Sequence, residues 1–271
     1  MTIWQAVILG VIQGVTEFLP VSSSGHLVIA QHFMGITGNT LTFDVVVHAG
    51  SLLAIAAALK DELASLLAGA ASVITGRRGA GADAGRLRLA QVVVATLPLV
   101  LAGLLLRDAV EQAFSSALVP VVLLFATGAL LLYADRTRAV GRSAQVGWSH
   151  AVWMGLAQAL AVLPGLSRSG VTMSVGMMSG LTREAAAKFS FLMAIPAIAG
   201  AAVLELADLL QGTGSSAAGA GALLAGAVCS AVTSYLSIRL FLRFVRRGRL
   251  APFAYYTWVL GAALLALGLA G

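Results

Sequence analysis

Charged residues and cysteine are scarce in this chain. Aspartate, glutamate, lysine and arginine make up only 10% of its 271 residues, whereas an average soluble domain carries about 25%. Hydrophobic residues make up 59%, and the mean hydropathy is +0.94. These values exclude an ordinary soluble domain and indicate a protein that lies in lipid. The single cysteine, Cys229, excludes a disulfide framework and a cysteine metal site.

Several apolar runs approach or reach the roughly 20 residues that span a bilayer. They comprise residues 92–106, 117–133, 217–238 and 255–269. We expect no cleavable signal peptide, because the first apolar segment lacks a basic start and contains Glu17.

Two stretches interrupt the apolar pattern in the same way. The first runs from Gln13 to His26 and the second from Gln158 to Thr172. In each, an apolar helix stops at a Leu-Pro pair, and a cluster of serine and glycine that can begin another helix follows. Paired helix breaks that carry ionisable and hydroxyl groups are typical of a binding site near the midplane of a membrane protein.

The broken stretches begin units that repeat along the chain. Gln13 corresponds to Gln158, and the Leu-Pro pairs and the Ser-x-Ser-Gly clusters correspond in nearly the same register. We therefore interpret residues 1–271 as a single membrane domain built from two repeats, about residues 1–135 and 148–271.

After each break the pattern predicts a short half-helix and then three longer helices. The half-helices fall near residues 22–35 and 168–179, and the longer helices fall near residues 43–60, 88–107, 117–133, 185–206, 217–245 and 252–270. If each broken stretch forms a re-entrant hairpin, each unit crosses the membrane three times and the second unit is inverted. The expected fold is therefore all-α and integral to the membrane, with two inverted-topology repeats, six transmembrane helices and two re-entrant hairpins.

The basic residues give this topology an orientation. One face of the membrane receives only Arg107, and the other receives Lys60, Arg77, Arg78, Arg86, Arg88, Arg136, Arg138, Arg142, Arg183, Lys188, Arg243, Arg246, Arg247 and Arg249. Because basic residues mark the cytoplasmic side, we expect both termini and the candidate site to face outward. The net charge of +6 then reflects cytoplasmic loops, not a nucleic-acid partner. Residues 76–88, rich in glycine, alanine and arginine, are expected to form a flexible loop.

The first hairpin carries a buried acidic group. Gln13 and Glu17 are four residues apart and share one helix face with Gly10 and Gly14, which would let another helix come close. An ionisable group at this depth costs about 2.5–3.5 kcal/mol on insertion scales, so Glu17 needs a partner. The alternative is that Glu17 only joins two helices through a hydrogen bond.

Beyond Pro20, the hydroxyls of Ser22, Ser23 and Ser24 can cap the next half-helix, whose free N–H groups form a natural anion site. In the first turn of that helix, His26 could serve as a general acid, a general base or a nucleophile toward phosphorus. The alternative is a histidine that is satisfied by a neighbouring carbonyl group.

The second hairpin supplies the complementary charge. Arg168 lies between Ser167 and Ser169, where its guanidinium could grip phosphate oxygens in two places. The N–H groups around Gly170 and the Thr172 hydroxyl would complete a phosphate cradle. The alternative is that Arg168 only neutralises Glu17. Together the hairpins favour a phosphoryl site, with water as second substrate and a hydrocarbon chain on the first.

These segments closely resemble a known family. Gln13 to His26 and Pro164 to Thr172 are similar to the two signature motifs of undecaprenyl-diphosphate phosphatases of the bacitracin-resistance type, and the resemblance continues through residues 43–51. It implies a multi-pass hydrolase of the bacterial cytoplasmic (inner) membrane. This enzyme converts undecaprenyl diphosphate to undecaprenyl phosphate and inorganic phosphate, which recycles the lipid carrier of cell-wall synthesis. It also implies a divalent cation, Mg²⁺ or Ca²⁺, and often a homodimer.

The resemblance implies a role for each matching residue. The catalytic residues would be Glu17, Ser23, His26 and Arg168. The diphosphate would be bound by Ser24, Ser167, Arg168, Ser169, Gly170 and Thr172. Glu17 and Gln13 would hold the cation, and because many members carry glutamate in place of Gln13, more of that task falls on Glu17. Asp44 and His48, four residues apart on one helix face, would support the site from behind, or form a plain interhelical hydrogen bond.

The residues leave the nucleophile open. His26 could attack directly, Ser23 could attack with His26 as base, or His26 and Glu17 could activate a water molecule. A transporter for a phosphorylated lipid or for phosphate is the rival interpretation, because broken midplane helices in inverted repeats are transporter architecture. A transporter has no use for a nucleophile or for a titrating histidine. A structural protein would leave both motifs unexplained.

Overall fold

The computed structural model describes residues 1–36, 40–76, 79–116, 118–137, 141–210 and 218–268, except for the side chains of residues 107, 111, 114, 115 and 204–210. Twelve helices occur in this part of the chain. They are α1 (Ile3–Thr16), α2 (Ser23–Phe33), α3 (Leu41–Ala58), α4 (Lys60–Thr75), α5 (Ala80–Leu105), α6 (Arg107–Ser115), α7 (Leu118–Arg136), α8 (Trp148–Leu160), α9 (Arg168–Met178), α10 (Arg183–Leu210), α11 (Ala220–Val245) and α12 (Ala251–Ala266).

Five of these helices are long and apolar enough to cross a membrane. They are α3, α5, α7, the segment Arg183–Val203 of α10, and α11. The apolar helices α1 and α12 are shorter. The prediction of an all-helical, multi-pass membrane protein is confirmed at this level, because each of the five has the length and composition of a membrane span.

The connection between the first two long helices differs from the one predicted from the sequence. A helix, α4, begins at Lys60 after the break at Leu59, and α5 already begins at Ala80. The prediction of a flexible loop over residues 76–88 is therefore wrong from residue 80 onward. The backbones of Gly69 and Gly85 meet where α4 packs on α5, and this tertiary contact holds an alanine-rich segment helical. Two basic residues of that loop, Arg77 and Arg78, lie outside the described residues, as does Arg138.

The helices pack in reciprocal pairs. Helix α1 packs on α11 and α8 packs on α5, while α3 contacts α10 and α7 contacts α12. Each broken stretch folds as two adjacent helices, α1 with α2 and α8 with α9. A Cβ atom on Gly10 would collide with Gly226, and one on Gly14 would collide with Thr233. The prediction that these glycines admit another helix is confirmed.

The buried core lies directly behind the two breaks. Phe18, from the first break, is fully buried and meets Phe191 of α10 edge to face, with 5.1 Å between ring centroids. Met173 and Met177 of α9 join the same cluster, as does Phe241 of α11. The breaks are therefore held between long helices, and their polar side chains have fixed surroundings.

Candidate active site

The first hairpin turns sharply between α1 and α2. Glu17 is the C-terminal cap of α1, and α2 begins at Ser23. Ser22 has φ of +70°, a conformation that costs a non-glycine residue on the order of 1–3 kcal/mol. Its side chain makes no capping hydrogen bond to α2 and lies 3.4 Å from the Ser24 hydroxyl instead. The turn therefore presents its hydroxyls to the space in front of α2.

The second hairpin is capped by Ser167. The Ser167 hydroxyl accepts a hydrogen bond of 3.1 Å from the backbone N–H of Gly170, and α9 begins at Arg168. Gly165, with φ of +87°, makes the preceding turn against the backbone of Pro120. The N–H of Gly170 is consequently occupied within its own helix end.

A hydrogen bond from a side chain of the second hairpin to the backbone of the first joins the two breaks. The Ser169 hydroxyl donates to the carbonyl oxygen of Leu19 at 3.0 Å, and it also lies 3.2 Å from the Ser167 hydroxyl. Both serines are buried. The breaks therefore face each other across a single site, although their motifs are far apart in the chain.

Glu17 is the centre of this site. Its Oε2 accepts hydrogen bonds from the Ser23 hydroxyl at 2.6 Å and from Nε2 of Gln13 at 3.0 Å, and Nε2 of His48 lies 3.6 Å away. Its Oε1 accepts from the guanidinium of Arg168. The expectation that this buried carboxylate needs a partner is confirmed.

Arg168 is paired but not satisfied. Its side chain is 16% exposed, and Nη2 forms the ion pair with Glu17, whose side chain is 6% exposed. Its Nη1 is buried and has no hydrogen-bond partner among the described residues. A buried polar group left in this state costs about 1–3 kcal/mol. The arrangement thus leaves a cationic donor for an incoming ligand.

A cavity of about 330 Å³ lies between the hairpins. Its polar lining comes from Glu17, Ser22, Ser23, Ser24, Asp44, His48, Gln158, Ser167, Arg168 and Ser169. The rest of the lining is apolar and comes from both hairpins and from α3, α5 and α10. A small cluster of converging polar groups in an otherwise apolar pocket is the usual form of a ligand site.

His26 does not line this cavity. Its Nδ1 donates to the carbonyl oxygen of Ser22 at 2.8 Å, and its Nε2 lies 2.7 Å from the hydroxyl of Tyr256 on α12. Because a carbonyl only accepts, the neutral ring accepts from Tyr256. The structure therefore places the histidine behind the turn that carries Ser22 and Ser23. No sequence pattern marks Tyr256 as the partner of His26, because the two residues lie in distant helices.

Thr172 and Gly170 also stay out of the cavity lining. Thr172 is fully buried, donates to the carbonyl oxygen of Arg168 at 2.7 Å and lies 2.6 Å from the Ser190 hydroxyl of α10. Of the six predicted diphosphate ligands, the structure brings Ser24, Ser167, Arg168 and Ser169 to the cavity. Thr172 instead holds α9 against α10.

Asp44 and His48 lie on one face of α3 and line the cavity. The Asp44 carboxylate accepts from Gln31 at 2.8 Å and from Thr40 at 3.1 Å. Nδ1 of His48 donates to the backbone oxygen of Asp44 at 2.6 Å, which turns Nε2 toward Glu17. Asp44 thus forms an interhelical hydrogen bond between α3 and α2, and Nε2 of His48 faces the carboxylate of Glu17.

The described residues of this site supply only some of the ligands that a cation needs. No group of three or more histidine, cysteine, aspartate or glutamate residues with metal-binding geometry occurs in the described part of the chain. However, Oε1 of Gln13 is buried without a hydrogen-bond partner beside Glu17. Oxygen donors of this kind suit Mg²⁺ or Ca²⁺ when substrate oxygens and water supply the remaining ligands.

The chain is similar to known proteins over nearly its whole length. Residues 6–263 match the family described as bacitracin resistance protein BacA. The undecaprenyl-diphosphatase of Rubrobacter xylanophilus is 44% identical over 267 residues, which cover 97% of each chain. The undecaprenyl-diphosphatases of Alteromonas mediterranea and Methanobrevibacter smithii are 42% and 40% identical and cover 98% and 96% of each chain.

Proposed function

The chain belongs to the bacitracin resistance protein BacA family, and on that premise we propose that it is an undecaprenyl-diphosphate phosphatase. It hydrolyses undecaprenyl diphosphate to undecaprenyl phosphate and inorganic phosphate in the membrane, and so recycles the lipid carrier of cell-wall synthesis. The observation that carries this proposal is the placement of Ser23, Glu17 and Arg168 around one cavity. A hydroxyl, a proton acceptor and a cation are the groups that phosphoryl transfer uses.

Ser23 is the nucleophile in this proposal. Its hydroxyl already donates to Glu17 at 2.6 Å and lines the cavity, whereas both ring nitrogens of His26 are occupied elsewhere. As Ser23 Oγ bonds to the terminal phosphorus, its proton passes to Glu17 and the bond from that phosphorus to the bridging oxygen breaks. Undecaprenyl phosphate leaves with the bonding electrons, and a phosphoserine remains.

Water completes the reaction. It attacks the phosphorus of phosphoserine, and the Glu17 carboxyl returns its proton to Ser23 Oγ as the phosphorus–oxygen bond breaks. The water oxygen and its protons leave with inorganic phosphate. His26 holds the Ser22 carbonyl, and through it the turn that carries Ser23, so we assign it a positioning role.

Arg168 binds the diphosphate. Arg168 lines the cavity together with Ser24, Ser167 and Ser169, and its buried Nη1 has no hydrogen-bond partner within the described ranges. Charge-assisted hydrogen bonds to phosphate oxygens stabilise the negative charge that develops as the bridging oxygen leaves. A diphosphate that engages Arg168 also draws it from Glu17, which frees the carboxylate to accept the Ser23 proton.

A divalent cation belongs to the proposal as well. Glu17 and the unpaired Oε1 of Gln13 would hold Mg²⁺ or Ca²⁺ together with diphosphate oxygens. Such a cation neutralises phosphate charge.

For the architecture we propose two inverted-topology repeats, about residues 1–135 and 148–271, in one domain of the inner membrane. The α1–α2 and α8–α9 pairs would be re-entrant hairpins, and α12 would be the sixth span. The reciprocal packing of α1 on α11 and of α8 on α5 supports this scheme, because corresponding helices make corresponding contacts. The charge asymmetry supports an outward-facing site. The homodimer rests on the family resemblance, and light scattering of the detergent-solubilised protein tests it.

The test is release of inorganic phosphate from undecaprenyl diphosphate by the purified protein in detergent, with and without Mg²⁺. Ser23→Ala is the test variant. Ser174→Ala, which changes a buried serine outside the cavity lining, is the matched control. Metal-dependent release that only Ser23→Ala loses supports the proposal. No release under any metal, with movement of the lipid across vesicles, would favour the transporter.

A further inference from the structure

Gln158 is a cavity residue for which the mechanism above has no use. It lies in the last turn of α8, its side chain is fully buried, and it lines the same cavity as Glu17, Ser23 and Arg168. Its Oε1 has no hydrogen-bond partner among the described residues. A buried amide with an open acceptor in the wall of a ligand site requires a partner that the resting arrangement does not provide.

The other end of the amide fixes its orientation. Nε2 of Gln158 donates to the carbonyl oxygen of Ala95 on α5 at 3.5 Å. A reversed amide would direct one acceptor at another, so Oε1 is the end of the amide that still needs a partner. An acceptor repels phosphate oxygens, and its partner must therefore be a hydrogen-bond donor.

The amide oxygen is open in both repeats, because Oε1 of Gln13 likewise has no hydrogen-bond partner in the described part of the chain. The corresponding residue of the first hairpin, Gln13, donates to Glu17, four residues further along its helix. Val162 stands four residues after Gln158 and offers no polar partner. The second hairpin therefore keeps the amide without the carboxylate that accompanies it in the first.

The complementary donor lines the same cavity. Nη1 of Arg168 is buried and, like Oε1 of Gln158, has no hydrogen-bond partner in the part of the chain that the structure describes, and both residues line the cavity. We propose that Gln158 is a positioning residue for Arg168: when the diphosphate draws the guanidinium off Glu17, Oε1 of Gln158 accepts a hydrogen bond from it and holds it in the substrate-bound position. This inference rests on the proposed phosphatase function. It gives Arg168 two defined positions, one on Glu17 and one between the diphosphate and Gln158.

Steady-state hydrolysis of undecaprenyl diphosphate by four proteins tests the inference: wild type, Gln158→Met, Arg168→Lys and the double variant. Methionine keeps the length and volume of the side chain and removes the acceptor. We expect Gln158→Met to lower kcat/KM about 10- to 100-fold, mainly through a higher KM, since a hydrogen bond to a charged group is lost. In the Arg168→Lys background the same change should cost less than about threefold, because the guanidinium that Gln158 holds is already absent.

Two controls make the result decisive. Ser174→Ala removes another buried polar atom that has no partner in the described part of the chain, and it should leave kcat and KM unchanged. Should Gln158→Met fail to fold, Gln158→Asn, which withdraws the amide by one methylene group, should raise KM in the same way. Equal losses in both Arg168 backgrounds, or an unchanged KM, would overturn the inference while wild-type turnover stands. Absence of wild-type turnover would instead overturn the phosphatase function itself.

Discussion

Glu17→Gln should separate the stability of the site from its chemistry. Glutamine has nearly the same shape as glutamate, but it removes the charge that Arg168 faces in a pair whose side chains are only 6% and 16% exposed. Breaking a buried ion pair by removing one partner costs about 3–5 kcal/mol, because the remaining charge is left uncompensated. For a chain of this size about 2–4 °C of Tm corresponds to each kcal/mol, so Tm should fall by about 10 °C.

The same variant should lose activity for a different reason. The amide cannot accept the Ser23 proton, so phosphate release should fall at least about a thousandfold. A thermal melt of the detergent-solubilised protein measures the first effect, and phosphate release measures the second. Inorganic pyrophosphate should raise the Tm of Glu17→Gln more than that of wild type, because in the variant Arg168 is free to bind the anion.

The double variant Glu17→Gln with Arg168→Met provides the control. It removes both charges and should recover most of the lost Tm, because neither charge is left unpaired. It should remain inactive, since it lacks the proton acceptor and the diphosphate ligand. A Glu17→Gln protein that melts with wild type, or a double variant no more stable than the single one, would refute the ion-pair reasoning.

Three further outcomes follow from the same geometry. When wild type reacts with substrate labelled in its terminal phosphate, rapid acid quenching should trap an acid-stable phosphoprotein, and Ser23→Ala should abolish it. Label that survives the substitution would contradict serine attack. Tyr256→Phe removes one hydrogen bond to His26 and should lower kcat only about fivefold, whereas a loss above a thousandfold would place His26 among the reacting groups. A cysteine at Ala80, in a Cys229→Ser background, should react with an impermeant maleimide only after the cells are opened, and labelling of intact cells would invert the topology.

The sequence could predict that Glu17 and Arg168 share one site because its signals are local. Gln13 and Glu17 are one helical turn apart, and Glu17 had to find a partner because an unpaired carboxylate is costly in a membrane. Arg168 was the only hairpin residue with the opposite fixed charge. Spacing, burial cost and charge were therefore enough to join two motifs that lie 151 residues apart in the chain.

The features that could not be predicted depend on tertiary contacts. Tyr256 reaches His26 across 230 residues, and no periodicity in α12 marks it. Thr172 shares a helix face with Arg168, but its hydroxyl bonds back to the Arg168 carbonyl and to Ser190, a local choice open to threonine in any helix. Residues 60–75 are too polar for a span, and their helix depends on packing against α5.

The ion pair between Glu17 and Arg168 lowers the cost of burying two charged groups in a membrane phosphatase. The base and the diphosphate ligand both carry charge, and in the absence of substrate each would be costly to bury alone. Paired, they neutralise each other, but the positive charge of Arg168 on Oε1 then opposes proton transfer from Ser23, whose hydroxyl donates to Oε2. An incoming diphosphate offers more negative charge than Glu17 does, so it competes for the guanidinium and frees the carboxylate at the moment when Ser23 has a phosphorus to attack. In the proposed mechanism, activation of the nucleophile thus follows from binding of the substrate, and a lipid without the diphosphate would leave the site neutral and inactive.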